Sequence, residues 1–164
     1  MKCLIVYDTR MGTTETIARR LAQELGGDAV HLPAPAVNVA AYDLIVVGTP
    51  QPFSQLPKPV AQFLAENREH LAGKKSGLFL TCASEDDGQL GPVKVVGGAR
   101  TAARLKEEYG LAEVVVLPVS ELGAVLDPAR GMDTIRQDIA RGLPAWDARL
   151  ADFVARLELL VGTR

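Results

Sequence analysis

A short loop rich in hydroxyl side chains follows the first apolar run of the chain. That run, residues 4–7, reads Leu-Ile-Val-Tyr and is typical of a buried strand. Four of the six residues from Thr9 to Thr14 are threonine or glycine. Behind them, Ile17, Leu21 and Leu25 recur every four residues, as on one face of a helix. Hydroxyls and a glycine therefore stand where a strand turns into a helix.

A turn of this kind is a natural anion site. The first backbone N–H groups of a helix have no partner within the helix, and the helix dipole favours negative charge at that end. Threonine hydroxyls add hydrogen-bond donors without adding charge. We therefore expect a phosphate group to bind at this turn. The alternative is an ordinary strand-to-helix connection in which Thr9 or Thr13 caps the helix.

The rest of the chain repeats the alternation of strand and helix. Apolar runs at 2–7, 29–32, 44–47, 77–81 and 113–118 predict five strands, with helical patterns between them. We expect the helices at 13–25, from 57 onward, at 92–109, 132–141 and 144–160, although Gly97-Gly98 weakens the third of these. Buried strands alternating with helices predict an α/β fold with a three-layer, doubly wound, five-stranded parallel sheet. Because the 164 residues contain no linker or repeat, we expect a single domain over 1–164.

Composition excludes several classes of function. The net charge of −2 gives no basis for binding nucleic acid or an anionic membrane, and no apolar run reaches transmembrane length. We expect no integral membrane segment, no secretory leader and a cytoplasmic location. Cys3 and Cys82 are too few for a disulfide framework and are expected at opposite ends of the sheet. His31 and His70 show no metal-ligand spacing, so we expect no metal site. The oligomeric state stays open.

Three other doubly wound nucleotide or phosphate folds do not fit the motifs. The first loop lacks the G-x-G-x-x-G of dinucleotide-binding folds, and the second strand ends in Leu32-Pro33 instead of an acidic residue. A P-loop needs a lysine after its last glycine, which the loop also lacks. A receiver domain needs an aspartate after the third strand, where this chain has Gly48-Thr49. A mononucleotide with its phosphate at the first loop remains.

At this point the sequence resembles the flavodoxin-like family, whose first loop follows the pattern T-x-T-G-x-T. Thr9, Gly12 and Thr14 match the pattern, and Met11 replaces its second threonine. The run from Tyr42 to Pro50 also resembles the third strand and second flavin loop of the family. Within the family, 9–18 is most similar to the menaquinone-dependent protoporphyrinogen oxidase branch. The resemblance implies FMN as cofactor and the strand order 2-1-3-4-5, an order already known for flavodoxin itself.

The resemblance also implies which loops hold the cofactor. The first loop is expected to bind the phosphate through backbone N–H groups and the Thr9 and Thr14 hydroxyls, with Arg10 adding charge or facing solvent. The second loop is expected to border the flavin ring, with Phe53 stacked on it or plugged onto the sheet. The third approaches the polar edge of the ring. The predicted cofactor-binding residues are Thr9, Arg10, Met11, Gly12, Thr13, Thr14, Thr49, Pro50, Gln51, Pro52, Phe53, Ser54, Cys82, Ala83, Ser84 and Glu85.

The flavin carries the chemistry in such proteins, so no catalytic triad is expected and none is found in the sequence. We interpret the chain as an FMN-binding electron-transfer protein or oxidoreductase, with a redox partner protein or a quinone-type small molecule as partner. The small net charge favours a quinone- or porphyrinogen-linked role over a strongly acidic carrier. A flavodoxin-like regulatory module without FMN and an NAD(P)H-dependent quinone reductase are the alternatives. Cys82 is expected to be a buried apolar residue, and 85–87 a solvated acidic loop that would lower the flavin potential if it borders the ring.

Overall fold

The computed structural model describes residues 1–124 and 127–162, apart from the side chains of Phe53, Leu90 and Pro128. In chain order the strands are β1 (Cys3–Tyr7), β2 (Asp28–His31), β3 (Leu44–Pro50), β4 (Lys75–Cys82), β5 (Gly88–Leu90), β6 (Val93–Val95) and β7 (Glu113–Pro118). The helices are α1 (Thr13–Leu25), α2 (Lys58–Glu66), α3 (Arg68–Gly73), α4 (Gly98–Tyr109), α5 (Met132–Gly142) and α6 (Asp147–Gly162).

Five of the strands form one parallel sheet in the order β2-β1-β3-β4-β7. The register pairs Val6 with Val47 and Val47 with Leu78, so the central strands lie level with each other. Because β5 and β6 form a separate antiparallel hairpin, β7 is the fifth strand of the parallel sheet. The predicted α/β fold and the order 2-1-3-4-5 are confirmed.

Both faces of the sheet are buried, which explains why its strands are apolar throughout. Alternate residues of β1 point to opposite faces: Ile5 belongs to a core with α1, α5 and α6, and Val6 to a core with α2, α3 and α4. The first core holds the fully buried side chains of Trp146 and Phe153. Two cores on one sheet give the predicted three layers and hold the strand ends in place.

The predicted helix over 92–109 is wrong in its first third. Residues 88–95 form the β5–β6 hairpin, whose turn contains Gly91 at φ +58°, and α4 begins only at Gly98. Close packing explains the late start. A Cβ on Gly97 would lie 2.3 Å from the Glu85 carbonyl oxygen, and one on Gly98 would lie 2.4 Å from the Cys82 sulfur. The absence of side chains at these two glycines therefore allows the start of α4 to pack closely against the end of β4 and the loop after it.

Smaller differences concern the element ends. β3 continues through Thr49 and Pro50, and β4 through Cys82, so these predicted loop residues are strand residues. A short helix, α3, follows α2 and was not predicted from the sequence. Of the predicted loop at 120–130, residues 125–126 lie outside the described part of the chain. None of the helices described is long and apolar enough to cross a membrane.

Candidate functional site

Three loops meet at the edge of the sheet where β1, β3 and β4 end. The Asp8 N–H donates to the Gly48 carbonyl oxygen at 3.2 Å, and the Gln51 N–H donates to the Thr81 carbonyl oxygen at 2.9 Å. These bonds extend the sheet one residue beyond the strands and fix where each loop begins. In open parallel sheets, ligands bind at such an edge, between strands whose connections run in opposite directions.

The loop after β1 forms an open cradle of donors. Gly12 precedes α1 with φ +87°, and its N–H donates to the Thr9 hydroxyl oxygen at 3.0 Å. The first helical bond runs from the Thr16 N–H to the Gly12 carbonyl oxygen, so the N–H groups of residues 13–15 have no acceptor within the helix. A Cβ on Gly12 would meet no atom within 4 Å. The cradle therefore has donors and room for an anion.

The two matching threonines of this loop have different surroundings. The Thr9 hydroxyl accepts the Gly12 N–H and keeps its own proton to donate. The Thr14 side chain is buried, and its hydroxyl oxygen lies 3.0 Å from that of Thr81 in β4. The direct contact between the Thr14 hydroxyl and phosphate stays a prediction. The hydrogen bond between the Thr14 and Thr81 hydroxyls joins the first turn of α1 to β4 of the sheet.

The remaining residues of the first loop divide by exposure. Arg10 is exposed and Thr13 half-buried, whereas Met11 packs against the core formed with α1 and α6. An apolar side chain at position 11 is therefore compatible with a loop that offers backbone N–H groups. Met11, the one residue of this loop that differs from the family pattern, therefore has its side chain on the side of the loop that faces the core.

The loop after β3 is ordered by its own turn. Pro52–Ser54 form a single 3₁₀ turn, in which Ser54 adopts φ +61°. The buried Thr49 hydroxyl donates to the Pro50 carbonyl oxygen at 2.8 Å. The backbone of Phe53 lies in the turn, but its side chain is outside the described part of the structure, so its stacking on a flavin stays a prediction.

The loop after β4 is closed at its base by α4. The N–H groups of Gly98 and Ala99 donate to the carbonyl oxygens of Ser84 and Glu85, each at 3.0 Å. The Asp87 carboxylate accepts the Gly97 N–H at 2.9 Å. Ala83 and Ser84 are exposed, whereas Cys82 is buried. The predicted third-loop residues are thus brought to the same edge, with the β5–β6 hairpin rising from them.

The hairpin was missed by sequence reasoning, although a signal for it exists. A Gly-Pro pair at 91–92 is a turn signal, and the β-branched Val93 and Val95 follow it with the alternation of a strand. Val96, the residue that follows β6, contacts the loop after β3. Gln51 Nε2 donates to the Val96 carbonyl oxygen, and the Val96 N–H donates to Ser54 Oγ, both at 2.9 Å. The second and third loops are therefore in direct contact.

Arg149 in α6 braces the third loop and was also missed. Its guanidinium donates to the Glu85 carboxylate at 3.0 Å, to the Val116 carbonyl oxygen at 3.3 Å and to the Glu121 carboxylate. These carboxylates raise the pKa of Arg149 further above its usual range. No sequence pattern links residues 64 positions apart, so only the fold could reveal this brace.

The cysteines are buried and free, as expected. Burial raises the pKa of the Cys82 thiol to about 11 and that of Cys3 to about 12. Both thiols are therefore protonated at neutral pH and poor nucleophiles. They lie on different strands, Cys3 at the start of β1 and Cys82 at the end of β4. Among the described residues, no group of histidine, cysteine and carboxylate side chains could hold a metal ion.

Comparison with known proteins identifies the family. The sequence model described as "Flavodoxin domain" matches residues 4–109, well over half of the chain. The chain belongs to the flavodoxin domain family. The matched segment contains the first two loops and the hairpin, and it ends with α4. No curated protein matches the sequence.

Solved structures of low sequence identity share the fold. A single-residue mutant of flavodoxin from Pseudomonas aeruginosa is 24% identical, with a TM-score of 0.55 over 96% of this chain and 99% of that one. A flavodoxin from the domain Archaea is 13% identical, with a TM-score of 0.54 and the same coverage. A flavoprotein from Lactobacillus acidophilus, solved in complex with FMN, is 16% identical, with a TM-score of 0.52 over 70% and 92% of the two chains.

Proposed function

We propose that this flavodoxin domain binds FMN and works as a redox protein, an electron carrier or an oxidoreductase. The observation that carries the proposal is the turn between β1 and α1, where Gly12 precedes backbone N–H groups that have no acceptor within the helix. The flavodoxin domain family, and the presence of FMN in the Lactobacillus acidophilus flavoprotein, support FMN as the ligand of that cradle.

The residues at the edge fit the parts of this cofactor. The phosphate would be held by the N–H groups of Met11, Thr13 and Thr14 and by the Thr9 hydroxyl, whose oxygen already accepts the Gly12 N–H. The flavin ring would lie beside the loops after β3 and β4, where Gln51 carries a buried oxygen that has no hydrogen-bond partner among the described residues. When bound, FMN supplies one- and two-electron transfer. The chain binds the cofactor, orients it and limits access of water to it.

The charges around the third loop bear on the redox partner of the flavin. Glu85 is paired with Arg149, and Asp87 with Arg100, so two of the three acidic residues in this loop carry a neutralising partner. Together with the net charge of −2, this offers little steering toward a basic partner protein. We therefore propose a small quinone-type or porphyrinogen-type substrate in preference to a protein partner.

Release of the cofactor from the native protein tests the first proposal. The purified protein is denatured, and the supernatant is identified by mass spectrometry and by its flavin absorption. We expect FMN in about equimolar amount. A colourless protein whose apo form gives no fluorescence quenching with added FMN would instead be the regulatory module that has lost the flavin.

Turnover and flavin-reoxidation measurements test which redox partner exchanges electrons with the flavin. FMN-loaded protein is mixed with NADH or NADPH and a soluble quinone. Photoreduced protein is then mixed with quinone alone, and oxidised protein with a porphyrinogen-type substrate, which would donate its electrons to the flavin. Rapid reoxidation of the photoreduced flavin by quinone without NAD(P)H use supports a quinone-linked role. Quinone-dependent oxidation of NAD(P)H would assign the protein to the quinone reductases. Photoreduced flavin that quinone does not reoxidise, together with oxidised flavin that the porphyrinogen does not reduce, would favour a carrier for a protein partner.

A further inference from the structure

Among the described residues, one buried side-chain atom has no hydrogen-bond partner, Oε1 of Gln51. The rest of the residue is anchored at both ends. Its N–H donates to Thr81, and its Nε2 donates to the Val96 carbonyl oxygen at 2.9 Å. Because a carbonyl can only accept, this contact fixes which amide atom is Nε2 and which is Oε1. A buried acceptor without a donor is costly, so a donor is expected to complete it.

The surroundings hold this oxygen in one position. Ser54 adopts a left-handed backbone conformation, which is uncommon for a residue other than glycine, and its Oγ accepts the Val96 N–H. Both polar backbone groups of Val96 are therefore bound by side chains of the loop after β3. Gln51 is 8% exposed and lies where that loop meets the segment that follows β6. The acceptor is thus oriented before any ligand arrives.

We propose that Gln51 Oε1 accepts a hydrogen bond from N3–H of the FMN ring and so fixes the ring against the hairpin. This inference rests on the proposed binding of FMN. The oxidised isoalloxazine carries a single N–H group, at N3, and its other polar ring atoms are acceptors. A carbonyl oxygen that requires a donor therefore selects the N3 position of the ring. Gln51 is then a binding residue that also connects the ring to Val96.

The ring reaches this oxygen only if the docked end of the hairpin shifts. Oε1 is buried, and Nε2 of the same amide is bound to Val96 at the end of the hairpin, but β5 and β6 pair over only three residues each. A two-stranded ribbon of that length is marginally stable by itself, so its end moves at little cost. The end of the hairpin shifts together with the Gln51 amide to admit the ring, so that Nε2 keeps its bond to Val96 while Oε1 receives the N3–H.

Binding of FMN and of its 3-methyl derivative, which lacks the N3–H donor, tests the proposal. The two dissociation constants are measured on apo protein by quenching of flavin fluorescence. We expect the native protein to bind FMN about fivefold or more tightly than 3-methyl-FMN. Gln51→Met keeps the side-chain volume but lacks the amide, so the ratio of the two constants should fall to within about twofold.

Gln62→Met is the matched control. It makes the same substitution at an exposed glutamine of α2 whose amide is bonded to Glu66, so it should keep the ratio of the native protein. The ratio of the two dissociation constants measured on the native protein is itself a test, and it does not require any variant to fold. Equal binding of both flavins by the native protein, or an unchanged ratio in Gln51→Met, would overturn the role of Gln51 and leave FMN binding intact. Failure of the native protein to bind either flavin would overturn the proposed function as well.

Discussion

The hydroxyl oxygens of Thr14 and Thr81 lie 3.0 Å apart in the protein interior, joining the first turn of α1 to the end of β4. Thr14 belongs to the loop pattern that predicts phosphate binding, yet its hydroxyl is already bonded to the sheet. The pair therefore positions the start of α1, and with it the backbone N–H groups of the cradle, relative to the third loop.

Removing either hydroxyl of this pair should lower the free energy of unfolding. Thr14→Val or Thr81→Val leaves a buried hydroxyl without its partner, and each is expected to cost about 1–3 kcal/mol. The double variant replaces both hydroxyls by methyl groups and should recover most of that loss. Urea unfolding followed by fluorescence of the buried Trp146 measures all three.

The same variants separate a positioning role from a direct one. Because the Thr14 hydroxyl is held by Thr81, we expect Thr14→Val and Thr81→Val to weaken FMN binding to the same extent. A much larger loss in Thr14→Val than in Thr81→Val would show that the Thr14 hydroxyl binds the phosphate itself.

Gly12→Ala should weaken FMN binding through the backbone. The added Cβ meets no atom within 4 Å, so the cost is the left-handed conformation at φ +87°, about 1 kcal/mol. The loop is expected to relax toward negative φ and turn its N–H groups away from the phosphate. Gly26→Ala is the control, because Gly26 is also left-handed with free space at the far end of α1. Both variants should lose stability, and only Gly12→Ala should lose FMN affinity.

Arg149→Met should loosen the third loop. Loss of the bonds to Glu85 and Val116 is expected to weaken FMN binding about threefold to tenfold, a modest effect because the side chain is partly solvated. Arg156→Met is the matched control. Arg156 also extends from α6 to β7, where it binds Glu113 and Val114, and its side chain is 34% exposed against 33% for Arg149. An equal loss of affinity in both variants would assign the effect to α6 as a whole.

Alkaline pH should destabilise the protein through its buried thiols. Burial raises the pKa of Cys82 from its ordinary value of 9.0 to about 11, so the unfolded chain ionises first as pH rises. The stabilisation is fully present below pH 9 and is lost between pH 9 and about 11. It amounts to a free energy on the order of 2 kcal/mol. Unfolding of Cys82→Ala across this range should show a flatter pH dependence than the native protein, and parallel curves would contradict the assignment.

Much of the fold follows from local patterns. The apolar runs that became β1, β3, β4 and β7 are continuous because both faces of the sheet are covered, and the Ile17 stripe marks the buried face of α1. The hairpin was not predicted because its strands are three residues long and, of their described side chains, only Val95 is half-buried, so they carry no burial pattern. The prediction from sequence begins this helix at Pro92, whereas α4 begins at Gly98.

The sequence predicts the turn from β1 through Thr9 and Gly12 into α1, and it predicts that this turn is rich in hydrogen-bond donors. Both features depend only on residues that are neighbours in the chain. The partners of the side chains around the cradle depend instead on the tertiary structure. Thr14 meets Thr81 across 67 positions, Arg149 meets Glu85 across 64, and Gln51 meets Val96 across 45. Contacts at such separations arise only when the strand order brings the loops to one edge. No local pattern of residues encodes them.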